Sequence, residues 1–548
     1  MRPGRIIKYT LLALLLFITV RVIIVFIGLS NDPMRQPAIP KEKLPQWPIT
    51  ATNDTLACGP NRLWQNKNGL WELHIEGEAF ERGYAAGRLM PELLHYQEKV
   101  FVDQIRQIIP SDSYLKFLRF MLILFNRDLG DCVPEENRRE IYGISLSCSE
   151  EFNAIGTPYQ RQLNYHAAHD IGHAMQDYML VGCSSFGVWG SESADSSLLI
   201  GRNFDFYVGD DFAKNKLITF CRPDEGHRFV SVGWPGMTGV LSGMNEKGLT
   251  VTLNAAKSTM PLSAATPISI LARRILQYAS TIDEAFAIAE EFTTFVSESL
   301  LIGSAMDKKA AIIEKSPDTT ALFLPEHERV ICTNHFQSET FANDKRNQEN
   351  IATSDSPYRY ERLSELLDET SPVDYQDAAA MLRNYKGKAD KSIGLGNEKA
   401  INQFIAHHSV IFQPEKQLMW VSTSPWQMGE YVAFNLEGQV DSLTIPADIF
   451  LTTSAYDDLL AFKRLKTIVR QSIENNTPPA DLVKAENLIA CNPDHFYAWE
   501  LAGDWYAAAG DKAKAAEYWQ TALTKEIPRL SERQTIEKKL QKFFPANA

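Results

Sequence analysis

Cysteine is scarce in this chain of 548 residues, which contains seven cysteines and no CxxC pair. That scarcity excludes a disulfide-based scaffold, and the missing CxxC pairs exclude the usual zinc ribbons. An excess of positive charge is also missing, because 55 Lys and Arg stand against 68 Asp and Glu. Nucleic-acid binding requires a basic surface, so no nucleic-acid partner is expected. Since the cysteine count is odd, at least one thiol is left unpaired.

One long apolar run stands out, at the N-terminus. A basic lead, Met1–Lys8, runs into a stretch from Ile6 to Leu29 that is long enough to cross a hydrocarbon core of roughly 30 Å. Arg21 lies toward the far end of this span, from which it can reach the interface. We therefore expect a single-pass membrane anchor with the rest of the chain outside the cytoplasm, on the periplasmic or outer face. A cleaved signal peptide is the alternative, because Gly28 and Ser30 are small residues at suitable spacing.

The chain length and a hydrophobic content of 45% predict two or three folded units. The pattern divides the sequence into a basic lead with the transmembrane anchor, a Pro-rich stalk, a first globular segment, a strand-rich unit and a helical end: 1–30, 31–55, 56–182, 183–445 and 446–548. In the strand-rich unit, short strands such as Ser184–Gly190 and Ser197–Phe206 precede helices at Pro267–Tyr278 and Ile282–Glu290, and further strands follow. Strands, helices and again strands favour an α+β sandwich.

The helical end contains one stretch in the register of a tetratricopeptide repeat. Its large and small positions are occupied by Trp499, Gly503, Tyr506, Ala515, Trp519 and Ala522. A single repeat cannot bury its own apolar face. We therefore expect an all-α, tetratricopeptide-like segment that packs on the preceding domain or binds a protein partner.

The chemistry is expected at Cys183, which follows Gly182 and opens a strand. A short turn then returns the chain, so that Arg202 and Asp205 lie alongside the cysteine. Arg202 can lower the pKa of the thiol, since a thiolate needs a positive neighbour. Cleavage between Gly182 and Cys183 would create an α-amine with a pKa of about 7.7–8.0. That amine suits a general base, and Asp205 could hold it.

Several motifs occur here in a characteristic order: Gly182–Phe186, Gly201–Phe206, Asn245–Asn254 and Ile331–Phe336. They resemble the acyl-coenzyme A:6-aminopenicillanic acid acyltransferase-like (peptidase C45) family of N-terminal-nucleophile hydrolases, to which choloylglycine hydrolases and acid ceramidase are related. The upstream Gly77–Gly87 resembles the pro-segment of that family. The resemblance extends from about Trp71 to Leu436.

The resemblance implies a four-layer αββα sandwich in which residues 56–182 are the pro-segment and residues 183–445 the catalytic domain. It implies Cys183 as nucleophile with Arg202 beside it, and Asp205 as the residue that holds the α-amine. Asn254 would contribute to the oxyanion hole, and Asn334 would position the nucleophile or the substrate amide.

The implied reaction begins with self-cleavage between Gly182 and Cys183. Cys183 would then attack a small, non-peptide amide through a thioester, which water or an amine resolves. The substrate is a small-molecule amide or acyl compound, and no metal or other cofactor is required.

The family usually has a late Arg before the closing strands, whereas this sequence has none in Lys391–Asn397. Arg359 and Arg362 are the nearest alternatives. The loop around Trp234 is expected beside the active site. Candidate residues of the substrate pocket are His166, His169, His173, Trp234 and Arg359.

Two alternatives remain open. His166, His169 and His173 fall on one helix face, and this spacing can bind zinc, which would give a zinc hydrolase. A catalytically inactive relative, which binds a ligand or a partner through the helical repeat, is the other alternative. An uncut chain whose Cys183 thiol is unreactive would favour the inactive relative over the cysteine enzyme.

Overall fold

A computed structural model describes residues 36–39, 44–108, 128–174, 180–259, 264–475 and 485–543, with a few isolated positions between 109 and 127. The side chains of residues 168–181 are outside this description. The predicted membrane span, Ile6–Leu29, also lies outside the described residues. Across the described ranges, no helix is both long enough and apolar enough to cross a membrane.

The described strands follow one another along the chain as β1 (Ile49–Thr52), β2 (Thr55–Cys58), β3 (Asn61–Gln65), β4 (Trp71–Gly77), β5 (Leu180–Val181), β6 (Ser184–Val188), β7 (Leu199–Phe204), β8 (Phe206–Tyr207), β9 (Leu217–Pro223), β10 (Phe229–Gly233), β11 (Ser242–Asn245), β12 (Leu249–Ala255), β13 (Glu298–Ser304), β14 (Lys309–Lys315), β15 (Thr320–Phe323), β16 (Arg329–Cys332), β17 (His408–Gln413), β18 (Leu418–Ser422), β19 (Tyr431–Asn435) and β20 (Gly438–Gln439).

These strands form two main sheets. The larger sheet has the order β1-β2-β3-β4-β9-β10-β11-β12-β13-β14-β15, the smaller has the order β16-β6-β7-β17-β18-β19-β20, and β5 pairs separately with β8. Neighbours are antiparallel except β4 and β9, which pair in parallel from Trp71↔Leu217 to Gly77↔Pro223. This parallel pair joins the chain before Cys183 to the chain after it, so cleavage at Cys183 would leave both pieces in one sheet.

The described helices are α1 (Ala79–Leu89), α2 (Pro91–Ile108), α3 (Leu129–Cys132), α4 (Glu135–Ser145), α5 (Pro158–Ala174), α6 (Ile268–Tyr278), α7 (Ile282–Glu291), α8 (Lys345–Thr353), α9 (Ser356–Thr370), α10 (Tyr375–Leu382), α11 (Ser454–Glu474), α12 (Ala485–Cys491), α13 (Phe496–Ala508), α14 (Lys512–Leu523) and α15 (Leu530–Phe543).

Adjacent residues of the strands define the layers of the fold. On β7, Ile200 packs between the two sheets with residues such as Ile312. Its neighbour Leu199 faces the other way, toward α9 and α10 with Leu363 and Leu382. The outer face of the larger sheet is covered by α1, α2, α6 and α7. Since side chains of a strand alternate between faces, two facing sheets with helices outside give the predicted α+β, four-layer αββα sandwich.

The helical segment packs its helices closely around small residues. A Cβ on Gly503 of α13 would lie 2.5 Å from the Trp519 ring of α14, so only glycine permits this approach. The indole of Trp519 donates to Asp504 at 3.0 Å. The described residues of this segment form helices and no strand, and its membership of the tetratricopeptide class stays a prediction.

Candidate active site

The hairpin of β6 and β7 places the predicted nucleophile. Its register pairs Ser185 with Arg202 and Ser184 with Asn203, which confirms that the chain turns back alongside Cys183. Cys183 is only 1% exposed. A guanidinium nitrogen of Arg202, Nη2, lies 3.9 Å from the Cys183 sulfur.

Arg202 is itself held rigidly in the interior. Its Nη1 donates to the Leu241 carbonyl at 3.1 Å and to the Ser242 hydroxyl, and its Nη2 donates to the Leu253 carbonyl. The guanidinium also lies over the Phe204 ring at 4.4 Å. The larger sheet, which supplies these carbonyls, therefore orients a positive charge toward the thiol of the smaller sheet.

The pKa of Cys183 departs from the expectation. Burial raises the pKa of the thiol to about 11, and the positive charges of Arg202 and Arg359 offset this only in part. The negative charges of Asp205 and Glu298 raise it further. In the uncut chain, desolvation of the thiolate thus outweighs the arginine, so Cys183 is protonated near neutral pH.

Asp205 follows β7 and is fully buried. Its backbone carbonyl accepts a hydrogen bond from the Gly182 N–H at 3.0 Å, which places it beside the predicted cleavage point. Within the described residues, neither carboxyl oxygen has a hydrogen-bond partner. Burial raises the pKa of Asp205 to about 8, although Arg359 and Arg202 partly offset it. A buried carboxyl group without a partner is costly, and a positive donor would relieve that cost.

Asn254 connects the sheets near the cysteine. Its amide nitrogen donates to the Cys332 carbonyl at 2.8 Å and its oxygen accepts from the Ser185 hydroxyl at 2.8 Å. A second, longer contact runs to the Thr333 carbonyl at 3.3 Å. In the uncut chain this amide therefore braces the strands around Cys183, and its role in an oxyanion hole stays a prediction.

Asn334 and Arg359 form one connected unit. Arg359, on α9, donates to the Cys183 carbonyl, to the Ser184 hydroxyl at 3.0 Å and to the Asn334 side-chain oxygen at 2.8 Å. Asn334 in turn donates to the Ala255 carbonyl at 2.8 Å. Arg359 therefore binds the backbone of Cys183, the residue that cleavage would make the N-terminus of the second fragment.

Arg362, the other alternative for the late Arg, lies one turn further along α9. It pairs with Glu365 at 3.0 Å and with Asp390 at 2.5 Å instead of reaching Cys183. Of the two arginines, only Arg359 contacts the site.

Of the predicted pocket histidines, the structure describes only the side chain of His166. His166 is buried; its Nε2 accepts a hydrogen bond from the Thr238 backbone N–H at 2.9 Å, and its Nδ1–H donates to the Gln162 carbonyl at 2.7 Å. Burial lowers the pKa of His166 to about 4. Both ring nitrogens are thus engaged, which leaves no lone pair for a zinc ion. The side chains of His169 and His173 lie outside the described residues.

Trp234 packs in an aromatic cluster behind Arg202. Its ring lies 6.1 Å from the Phe206 ring, 5.0 Å from the Phe212 ring and 5.2 Å from the His407 ring, measured between centroids. It is 8% exposed. Trp234 and Cys183 belong to the same buried hydrophobic cluster, so Trp234 lies close to the site.

Three further residues near Cys183 did not emerge from the sequence. Glu298 on β13 raises the pKa of the thiol, His408 on β17 contacts the Ser242 hydroxyl at 2.9 Å, and Gln403 donates to the Gly182 carbonyl at 2.8 Å. Glu298 could have been noticed as a charged residue at the start of a strand whose centre, Leu300–Ile302, is apolar. The other two depend on tertiary contacts alone.

The two-sheet sandwich and its buried cysteine hairpin are the features that the family resemblance predicts. Residues 191–424 match the family of acyl-coenzyme A:6-aminopenicillanic acid acyl-transferase. The family resemblance is thereby confirmed over this stretch, which is less than half of the chain. The matched stretch includes Arg202, Asp205, Asn254, Asn334 and Arg359, and it begins after Cys183.

Two curated proteins match the chain over part of its length, at about a quarter identity. An uncharacterized protein of Archaeoglobus fulgidus is 25% identical over 351 residues, which cover 58% of this chain and 58% of that protein. Protein dcd1B of Dictyostelium discoideum is 24% identical over 270 residues, covering 46% of this chain and 51% of that protein. The chain thus spans a little more than half the length of these relatives.

Solved structures with similar regions include two amide hydrolases. A Caenorhabditis elegans N-acylethanolamine-hydrolyzing acid amidase ortholog is 15% identical, covers 42% of this chain and 93% of its own, and has a TM-score of 0.32. A mutant conjugated bile acid hydrolase from Clostridium perfringens is 13% identical, covers 47% of this chain and 95% of its own, and has a TM-score of 0.32.

Proposed function

We propose that this protein is a cysteine N-terminal-nucleophile amidohydrolase or acyltransferase that cuts itself between Gly182 and Cys183. The matured Cys183 then cleaves a small, non-peptide amide, or transfers its acyl group, through a thioester. The observation that carries the proposal is the buried carboxyl group of Asp205, which has no hydrogen-bond partner among the described residues. The backbone carbonyl of the same residue accepts a hydrogen bond from the Gly182 N–H, next to the proposed cleavage point. The α-ammonium group released by cleavage is the partner that this carboxylate lacks.

Maturation would also change the thiol. Cleavage opens the buried site and frees the amine of Cys183, which can take the thiol proton as general base. Arg202, 3.9 Å away, would then stabilise the thiolate once water or substrate reaches the sulfur. The high pKa of the uncut thiol would thus belong to the precursor alone.

Arg359 would supply the late arginine of the family. It holds the Cys183 carbonyl and is tied to Asn334, so the nucleophile keeps its position after its N-terminal bond is broken. Attack by Cys183 on the substrate carbonyl would expel an amine and leave a thioester. Water then gives hydrolysis, and a second amine gives acyl transfer.

The first test is the intact mass of the purified protein. Wild type is expected as two fragments, residues up to 182 and residues from 183 onward, and Cys183→Ala as one uncut chain. Matured protein should hydrolyse members of a panel of N-acyl amides, and Cys183→Ser should lower that activity. An uncut wild-type chain that ignores thiol-directed probes would instead support the inactive, ligand-binding alternative.

A second test separates cysteine from zinc chemistry. Activity is expected to survive treatment with a chelator and to be lost in Cys183→Ala. The opposite pattern would favour the zinc hydrolase and contradict the proposal.

We also propose that the N-terminal segment anchors the enzyme in a membrane with its catalytic part outside the cytoplasm, and that the helical segment is available to a protein partner. Resistance of full-length protein to carbonate extraction, and its release on removal of residues 1–30, would support the anchor. Extraction of both forms alike would contradict it.

A further inference from the structure

The carbonyl of Gly182 is the group that must be attacked if the chain cuts itself before Cys183. In the structure this carbonyl accepts a hydrogen bond from Nε2 of Gln403 at 2.8 Å. Gln403 is 2% exposed, so water does not compete for the bond. A neutral amide therefore points at the oxygen on which negative charge would develop.

The identity of residue 182 supports this arrangement independently. A Cβ at position 182 would lie 2.5 Å from Nε2 and 2.8 Å from Oε1 of Gln403. The backbone of Gly182 does not adopt a positive φ, so glycine is not required there for its conformation. A methyl group at position 182 would instead force the amide of Gln403 to move away from its present place.

Hydrogen bonds fix the backbone on both sides of Gln403. The Asn203 side chain donates to the Ile401 carbonyl at 3.0 Å, and the Asn402 side-chain oxygen accepts from the Phe404 N–H at 2.9 Å. Phe404 has a φ of 54°, a conformation that bulky side chains rarely adopt. Its ring is enclosed by Trp426 and Phe450. The surrounding packing thus imposes a strained backbone next to the amide, as is common at functional sites.

We propose that Gln403 is the oxyanion donor of the self-cleavage reaction, a role that rests on the self-cleavage proposed above. The Cys183 sulfur attacks the Gly182 carbonyl carbon, an S–C bond forms, and the carbonyl π electrons move to the oxygen that Gln403 faces. When the intermediate collapses, the C–N bond to Cys183 breaks and the thiol proton ends on the departing nitrogen. Water then hydrolyses the thioester, which leaves a carboxylate at Gly182 and restores the thiol.

Gln403→Leu keeps the volume of the side chain and removes the donor. Removal of one oxyanion donor costs about 10²–10³ in rate. We therefore expect self-cleavage of full-length chain, followed by mass spectrometry during cell-free synthesis, to slow by roughly 10²-fold or more. Gly182→Ala should slow it as well, because the new methyl group would displace the amide.

Gln427→Leu is the matched control. Gln427 is also fully buried in the same domain, and its amide donates to the Leu382 carbonyl at 3.4 Å instead of the Gly182 carbonyl. The Gln427→Leu chain should cut itself at nearly the wild-type rate.

Gln403→Glu separates donation from packing, because the acid is isosteric with the amide. Only its protonated form can donate to the oxyanion, so its rate relative to wild type should rise as the pH falls. A merely structural role would give a ratio that does not change with pH.

The outcomes identify which proposal fails. Cleavage of wild type and of Gln403→Leu at equal rates, with Cys183→Ala uncut, would overturn the role of Gln403 and leave the proposed function standing. A wild-type chain that stays intact would overturn the self-cleavage itself, and this inference with it.

Discussion

At Cys183, two opposing effects set the proton affinity of the thiol. The positive charge of Arg202 favours the thiolate, whereas complete burial removes the water that would solvate it. Burial is the larger effect in the uncut chain, and it raises the pKa to about 11. The residue pattern identifies the charged neighbour, but the amount of burial depends on every element packed around it.

Asp205 should make the stability of the precursor depend on pH. The pKa of Asp205 is about 8 in the fold, against about 4 in an unfolded chain. Between these two pH values the folded state therefore binds one more proton than the unfolded state. Stability is therefore lost as the pH rises from about 4 to about 8. Denaturant unfolding of the Cys183→Ala chain should show a fall of several kcal/mol between pH 5 and pH 8, since each tenfold change in proton affinity is worth about 1.4 kcal/mol.

The substitution Asp205→Asn in that chain should flatten this dependence. Asp195→Asn serves as the control: despite partial burial, hydrogen bonds from Lys416 and Ser197 lower the pKa of Asp195 to about 2. That carboxyl group is already ionised at pH 5, so its replacement should leave the slope unchanged. An unchanged slope in the Asp205 variant would show that Asp205 is not the protonated group.

Arg359 should be far more important for activity than Arg362, although both are fully buried on α9. Lysine cannot reproduce the three contacts of Arg359 with the Cys183 carbonyl, Ser184 and Asn334. Loss of one charged hydrogen bond costs about 1.5–3 kcal/mol. We expect Arg359→Lys to lower kcat/KM of matured enzyme by roughly 10- to 100-fold. Arg362→Lys should stay within a few-fold of wild type, and equal losses would argue against a special role of Arg359.

At the scale of elements, the site depends on the close pairing of β6 and β7. Phe186 and Gly201 are directly opposite each other in this hairpin, and a Cβ on Gly201 would lie 2.6 Å from the Phe186 ring. The ring is fully buried. Glycine in the strand therefore lets an aromatic side chain lie across the hairpin next to Arg202.

Gly201→Ala should destabilise the precursor by about 1–3 kcal/mol, the usual cost of overpacking a filled core. The urea midpoint of the Cys183→Ala chain with and without the substitution measures this. Gly233→Ala is a suitable comparison, because its nearest neighbour would be the Met237 Cβ at 3.6 Å, an ordinary contact. Equal midpoints for both variants would show that the hairpin accommodates the methyl group.

At the scale of the whole molecule, the helical segment packs against the loop that leads to Gln403. Asn492 donates to the Leu395 carbonyl at 2.8 Å and accepts from its N–H at 3.0 Å. Glu526 forms ion pairs with Lys391 at 2.7 Å and Lys399 at 2.8 Å. The segment is thus positioned to stabilise a loop of the catalytic domain, in addition to any partner that it binds.

Asn492→Ala should loosen this loop, because it leaves both backbone groups of Leu395 without partners, at a cost of about 1–3 kcal/mol. Hydrogen exchange of residues 391–403 is expected to become faster, and self-cleavage slower. Gln520→Ala, at an exposed position of α14, should change neither. Unchanged exchange in the Asn492 variant would mean that the loop is held by the catalytic domain alone.

Much of this protein was determined by local sequence. The short strands and the turn between them predict the hairpin around Cys183, and the ordered motifs from Gly182 to Asn334 predict the αββα sandwich and its family, because both signals lie within short stretches of chain. Contacts between distant residues were decided only by the tertiary structure. Those contacts selected Arg359 over Arg362, left the Asp205 carboxyl group without a hydrogen-bond partner among the described residues, and brought Gln403 to the Gly182 carbonyl from 221 positions away. Burial, which controls the pKa of Cys183, belongs to the same category, since it is a property of the packed molecule and of no single segment.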